Sequence, residues 1–333
     1  MRIAPPLPHP HKIEYLAGQH PLAEHACRLL TPEHAALIPQ GLLQMAGVGC
    51  NPASAGSWVM YQTNVEIPAQ GYQLTLAANG KCLLESSDAA GFRYGLITLC
   101  QLYILHDSGP SLPAIRITDT PTFATRGIML DVSRDRIPTM QMFYDIIDQL
   151  CTLKFNHLQL YTEHTFAYQG HEEVWSGWAP LTAGEIQRLT EYATLRGVEL
   201  AANQNCFGHM VPWLKHARYA PLAETHGDWM FDIWPRKGAF SLCPTDPASL
   251  TLVEDLLTQL AGCYTCPWVN IGADETYDIA YGRSKHEVAR KGRAAVYLEF
   301  VGKVARIAEG LGKRPQFWGD IALSHPELSL IHI

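Results

Sequence analysis

A chain of 333 residues is long enough for one large domain and a smaller companion, each with a core of its own. Its net charge of −7, spread without any block of like charges, excludes nucleic acid and an anionic membrane surface as the main partner and suits a neutral ligand. Eight Trp, fourteen Tyr and fifteen His are more than packing demands, and spare aromatic faces are places where sugar rings can lie.

Residues 1 to about 20 are rich in Pro and His and predict an arm or a first edge strand. Runs of alternating apolar and polar residues follow at 58–65, 72–76 and 82–86, divided by Gly71 and by the turn pair Asn79 and Gly80. They predict an antiparallel sheet. Asp88 then caps a helix through Phe92, Leu96, Leu99, Leu102 and Leu105, which Gly109 and Pro110 stop. Residues 1–121 therefore read as a small α/β domain with helices laid on one face of a sheet.

The pattern changes in residues 122–333. Strand-like runs at 126–133, 157–164, 198–205, 268–275 and 314–321 alternate with helices over 139–155, 182–196, 248–261 and 284–310. Such alternation predicts a parallel sheet of βα units. Thr139 and Thr182 stand where N-caps belong, the second with Glu185 at capping-box spacing. A doubly wound nucleotide-binding sheet would carry a glycine-rich loop after its first strand, and none follows here. Each strand instead hands polar side chains to its C-terminal end: Asp131 with Arg134, Glu163 with His164, Asn203 with Asn205 and His209, Asp274 with Glu275, and Trp318 with Asp320. In a (β/α)8 TIM barrel all such ends meet on one rim, so the fold class expected is α/β, a barrel of which about five βα units are present. The final LSHPELSLIHI carries no sixth unit, and the chain is expected to be incomplete at its C-terminus. A complete five-stranded open sheet is the alternative, and it would leave a long edge exposed.

The stretch WVNIGADETY, 268–277, ends a short apolar run in Gly272 and Ala273 and then delivers Asp274 and Glu275. A buried parallel strand presents carboxylates at its C-terminal edge in this way. The plain alternative is that the two acids only cap the next helix.

Five segments in this order, RGIMLDVSRD (126–135), LYTEHTFAYQGHE (160–172), NQNCFGHMVPWLKH (203–216), NIGADETYD (270–278) and FWGD (317–320), resemble the glycoside hydrolase family 20 β-N-acetylhexosaminidases, and among them the hexosaminidase D-like branch. Upstream, GYQLTL and DAAGFRYGLITLCQL resemble the small α/β domain that precedes the barrel in many members. The resemblance implies a retaining exo-β-N-acetylhexosaminidase that removes terminal N-acetylglucosamine or N-acetylgalactosamine from glycans with no metal or other cofactor. Glu275 matches the general acid, and Asp274 the residue that orients the substrate's own 2-acetamido group for attack on the anomeric carbon, which gives an oxazolinium intermediate. Neighbouring strand residues point to opposite faces, so the pair suits one donor and one orienter better than an acid and a nucleophile flanking one bond. Arg126 matches an arginine that holds sugar hydroxyls, His209 the histidine beside the catalytic pair, and Trp318 a wall of the acetamido pocket; Asp320 belongs to the same set. Glu163 and His164 stand where classical members carry paired aspartates. Further pocket residues come from strands six to eight in the family, so this chain alone is expected to turn over weakly or not at all.

Two other functions fit part of the pattern. One is a catalytically impaired carbohydrate-binding fragment, which the intact Asp274–Glu275 pair disfavours; the other is a metal-dependent barrel hydrolase using Glu163, His164, His209 and Asp274, which lacks a two-histidine helix motif. Nine scattered cysteines include a single two-residue gap, Cys263 to Cys266, and no second pair at metal-site spacing. Thiols inside apolar runs favour a reducing compartment. The opening MRIAPPLPHPHK has no apolar core, and no stretch is long enough to span a bilayer, so a soluble cytoplasmic protein is expected.

Overall fold

The computed structural model describes residues 3–22, 28–50, 58–106 and 109–320. Contacts gather them into two units: the first holds residues up to Gly127 together with Met142–His157 and Tyr192–Val198, and the second holds the remainder. The closing segment LSHPELSLIHI lies outside the described residues.

In the first unit, the period-two pattern of Tyr72–Leu76 and Cys82–Ser86 buries Tyr72, Leu74, Leu76, Cys82 and Leu84 on one side and pairs the two strands antiparallel around Asn79–Gly80. Lys12–Pro21 is an edge strand on Ser111–Asp119, completing a five-stranded sheet with Met60–Thr63 at its other edge. The sheet is not wholly antiparallel as the sequence predicts, because Met60–Thr63 runs parallel to Cys82–Ser86. The chain passes through Tyr72–Leu76 between them, reversing twice, and the two outer strands of that path then run the same way.

Asp88 caps the helix Ala89–His106 as expected, its carboxylate accepting from the Gly91 amide at 2.7 Å. One face of that helix lies hard against the sheet. A Cβ on Gly91 would fall 2.0 Å from the Gly71 carbonyl oxygen, and one on Gly95 2.2 Å from Leu84, so both positions need glycine. Leu84, Ile97, Leu99, Leu102 and Tyr103 form the centre of the core.

The second sheet has five strands, Gly127–Asp131, His157–Tyr161, Glu199–Asn203, Trp268–Asn270 and Arg314–Gln316, and they follow one another across it in chain order. A doubly wound sheet reverses its strand order at a switch point, and this one does not. Asn203 is in parallel register with Asn270, and Asn270 with Gln316. The sheet also curls. Gln159 of the second strand donates to Gln316 of the fifth at 2.6 Å, and Asn270 of the fourth donates to Gln159 at 3.4 Å. In a flat sheet three strand spacings would hold the second and fifth strands about 14 Å apart. Inward side chains that meet across the sheet are the mark of a TIM barrel.

The helices fall close to the predicted spans, at Met140–Thr152, Ala183–Leu195 and Pro247–Ala261. Thr182 and Glu185 form the expected capping box, the Thr182 amide donating to Glu185 at 2.9 Å and the Glu185 amide donating to the Thr182 hydroxyl at 3.3 Å. The single helix predicted over 284–310 is two, Lys285–Lys291 and Arg293–Gly310, parted by Gly292 at φ +87°. A hairpin absent from the sequence reading, Asp228–Phe231 with Trp234–Lys237, stands out from the third βα connection. Of the described cysteines, Cys50 is exposed, the other seven are buried, and all have free thiols, Cys263 and Cys266 included. No described helix is long and apolar enough to cross a membrane.

Candidate active site

The fourth barrel strand ends at Asn270, and the chain then leaves regular geometry. Gly272, Ala273 and Glu275 all have positive φ, at +69°, +76° and +54°. Two of them are not glycine, and such backbone persists only where neighbours hold it. Here the Tyr297 hydroxyl donates to the Ala273 carbonyl at 2.9 Å, the Trp318 amide donates to Gly272 at 3.0 Å, and the Glu275 amide donates to Asp320 Oδ2 at 3.2 Å. A Cβ on Gly272 would fall 2.2 Å from Asn205 Oδ1.

This winding corrects one sequence expectation. Asp274 and Glu275 do not point to opposite faces, because they are past the strand, and both carboxylates lie 3.3 Å from the same nitrogen, His209 Nε2. His209 itself is at φ +58°, just beyond the third strand. Its other nitrogen, Nδ1, is 3.3 Å from Arg134 Nη2 and 3.6 Å from Glu163 Oε1. Arg134 Nη2 also donates to Tyr161 Oη at 3.0 Å and to Glu163 at 3.3 Å, while the Tyr161 hydroxyl donates to Glu163 at 2.9 Å. Glu163 is fixed through its backbone too: its amide donates to the Ser133 hydroxyl, and its carbonyl accepts from Trp213 and Gln204.

Four strand ends thus meet at one imidazole. Burial disfavours a charge on His209, but the Asp274 carboxylate 3.3 Å from Nε2, with the charges of Glu163 and Glu275, outweighs it and raises the ring's pKa above 6.5. In the neutral ring Nδ1 accepts from Arg134, which leaves Nε2–H toward the two acids; in the protonated ring Nδ1–H has Glu163 Oε1 at 3.6 Å. The ligand atoms of His209, Asp274 and Glu275 lie within 4.8 Å of one another, a triangle that could also hold a metal ion.

Asp274, Glu275, Glu163 and His209 are therefore brought together, and Asp320 joins through the Glu275 amide. Trp318 is tied to Gly272 by its backbone, with its indole 40% exposed. His164 is not in the cluster. It is buried edge-on against Trp178 at 4.5 Å, neither ring nitrogen has a hydrogen-bond partner among the described residues, and burial, helped by the Lys215 charge, pushes its pKa down to about 4. Glu163 and His164 both lie past the end of their strand at Tyr161, and of the two only Glu163 reaches His209.

Arg126 is not in the cluster either. It precedes the first barrel strand, at the end opposite to the rim, and its guanidinium is taken up within the first unit by Tyr94, Gln70 and the Phe123, Ala124 and Lys154 carbonyls. The arginine at the site is Arg134, past the C-terminal end of the same strand. Sequence reading placed Arg134 at a strand end but gave it no role, and it missed Tyr161, Phe240 and Tyr277. Phe240 packs on His209 at 5.0 Å between ring centroids.

Among the described residues, five curled parallel strands carry carboxylates and a histidine that converge at their C-terminal ends, where the active sites of TIM-barrel enzymes are built. The sequence model described as Glycosyl hydrolase family 20, catalytic domain, matches residues 123–331, and that for Glycosyl hydrolase family 20, domain 2, matches residues 7–120. The chain belongs to glycosyl hydrolase family 20. Among similar proteins, a β-hexosaminidase of Vibrio furnissii is 27% identical over 359 residues, covering 94% of this chain and 56% of that protein. The β-hexosaminidase subunit alpha of Rattus norvegicus is 32% identical over 155 residues, covering 43% and 29%. The solved exo-β-N-acetylglucosaminidase of Vibrio harveyi in complex with N-acetylglucosamine superposes with a TM-score of 0.76 at 19% identity, over 94% of this chain and 54% of that one. A β-N-acetylhexosaminidase of Bacteroides fragilis gives a TM-score of 0.73 at 20% identity, over 96% and 67%. The chain spans 39%, 58% and 29% of the lengths of three curated relatives that it matches.

Proposed function

We propose that the protein is a retaining exo-β-N-acetylhexosaminidase that releases terminal N-acetylhexosamine from glycans by substrate-assisted catalysis. The observation that carries the reading is the meeting of Asp274 and Glu275 at His209 Nε2, at the strand ends of a family 20 chain.

The two acids differ in setting. Asp274 is the less exposed, 20% against 42% for Glu275, and has a carboxyl oxygen, Oδ1, with no partner among the described residues. It suits the ionised group that accepts the acetamido N–H and turns the carbonyl oxygen toward the anomeric carbon. Glu275 is open enough to reach the glycosidic oxygen. As the carbonyl oxygen bonds to the anomeric carbon, the carbon–oxygen bond to the leaving group breaks and the Glu275 proton passes to that group. Water then attacks the same carbon, returns a proton to Glu275 and reopens the oxazolinium ring, so two inversions give retention. His209 holds both acids, and Arg134 and Glu163 hold His209.

The test compares, on the whole protein, an aryl N-acetylglucosaminide with the matching glucoside. Only the first should be cleaved at an appreciable rate, since the glucoside lacks the attacking group; comparable rates would refute substrate assistance. Glu275→Gln should lower kcat by about 10²–10⁴-fold. Metal-dependent hydrolysis at His209, Asp274 and Glu275 is the competing chemistry, because their ligand atoms are close enough to share an ion. Full activity after exhaustive chelation is the outcome expected here. We further propose a cytoplasmic location, where unpaired thiols persist, a reading that the free thiols of the described cysteines support.

A further inference from the structure

The hairpin Asp228–Lys237 pairs Phe231 with Trp234 and Trp229 with Arg236. Directly paired residues of an antiparallel ribbon point to the same side, and so do residues two apart on one strand. Trp229, Phe231, Trp234 and Arg236 therefore share one face. That face is turned toward the site: Trp229 packs on Phe240 at 5.3 Å, Phe240 packs on His209, and Phe231 packs on Tyr277 at 4.8 Å, two positions after Glu275. The Arg236 guanidinium lies over the Phe231 ring at 5.7 Å.

Trp234 is the exception on this face. It is 61% exposed and makes no ring contact among the described residues, although its backbone is fixed opposite Phe231. An indole presented to water on an ordered ribbon, paired with a Phe231 that packs on Tyr277, is a ready contact surface.

We propose that this face is the binding site for the leaving-group side of the substrate, a second hexosamine ring, with Trp234 as its platform and Arg236 as a hydrogen-bond donor to its hydroxyls. The proposal rests on the glycosidase reading above. If Glu275 protonates the glycosidic oxygen, the leaving sugar begins beside its carboxylate, and Tyr277, two residues on, packs on Phe231, which is paired with Trp234. A sugar there lays its apolar ring face on the indole and its hydroxyls toward Arg236.

Calorimetric titration of the Glu275→Gln variant separates the two readings. The ligands are methyl β-N-acetylglucosaminide and the β-1,4-linked disaccharide of N-acetylglucosamine. The disaccharide should bind about tenfold tighter, Trp234→Ala should remove that increment, and Trp234→Phe should restore most of it. Lys237→Ala, on the outer face, should change neither affinity. Equal affinity for the two ligands, or an increment that survives Trp234→Ala, overturns the subsite while leaving the glycosidase reading intact. A variant that changes from dimer to monomer with its increment unaltered makes the hairpin a contact between copies, and also overturns the subsite. Failure of both sugars to bind, with no cleavage of N-acetylhexosaminides by the unsubstituted whole protein, overturns both.

Discussion

Arg126 and Arg134 stand at the two ends of one strand, and only the second approaches the carboxylates. Both are embedded in acceptors, but Arg126 meets carbonyls and a tyrosine, whereas Arg134 meets Tyr161, Glu163 and His209. Arg134→Ala should therefore lower kcat/KM by about 10–10²-fold at nearly unchanged stability, while Arg126→Ala should cost about 2–3 kcal/mol of stability and leave kcat/KM of the folded protein near its original value. Urea unfolding and steady-state kinetics on both variants check the contrast. His209 adds a pH dependence whose sign follows from its raised pKa. The stability it contributes is fully present below the ordinary histidine value and is lost as pH rises through the higher folded value. The gap between the protein and its His209→Gln variant, measured by urea unfolding, should be wider at about pH 5.5 than at about pH 9. The residue types at the site were legible in the sequence, since strand ends collect them. Their directions were not, because the positive φ of Ala273 and Glu275 is held by Tyr297 and Asp320, far away along the chain.

At the scale of elements, local chemistry decided what could be read. Asp88 and the Thr182–Glu185 box mark helix starts within a few residues, and the strand runs show their period directly. The hairpin Asp228–Lys237 carried a weaker signal, two four-residue runs around Asp232–Ile233, with Pro235 blurring the second. The break at Gly292 was hidden because helix-favouring residues flank it on both sides. Its φ of +87° with ψ of 150° is open to glycine and strained for other residues. Gly292→Ala should therefore cost about 1–2 kcal/mol in thermal unfolding even though nothing lies within 4 Å of the added methyl. Gly272→Ala meets a more severe obstacle, strain together with a 2.2 Å clash on Asn205. It should lower activity more than stability, because the loop it displaces carries both acids. Activity equal to that of the unsubstituted protein would contradict this.

The whole second unit depends on curl, which no run of residues announces. Gln159, Asn270 and Gln316 read in the sequence as ordinary polar interruptions of strands, and only the bond between the second and fifth strands shows that they face a common interior. Gln159→Leu keeps the volume but leaves Gln316 and Asn270 short of partners, a loss of about 1–3 kcal/mol by urea unfolding.

Cysteine placement gives the molecule a chemical clock. Cys82, Cys100 and Cys151 belong to the first unit and Cys206 and Cys243 to the second, each at most 2% exposed. Burial drives the Cys100 and Cys151 thiols up to about 12, so neither ionises in place at neutral pH. An alkylating reagent reaches them only when the structure around them opens. Mass-resolved labelling would then date the opening of each unit separately, with Cys50 as the immediate zero mark and no residue altered to obtain it.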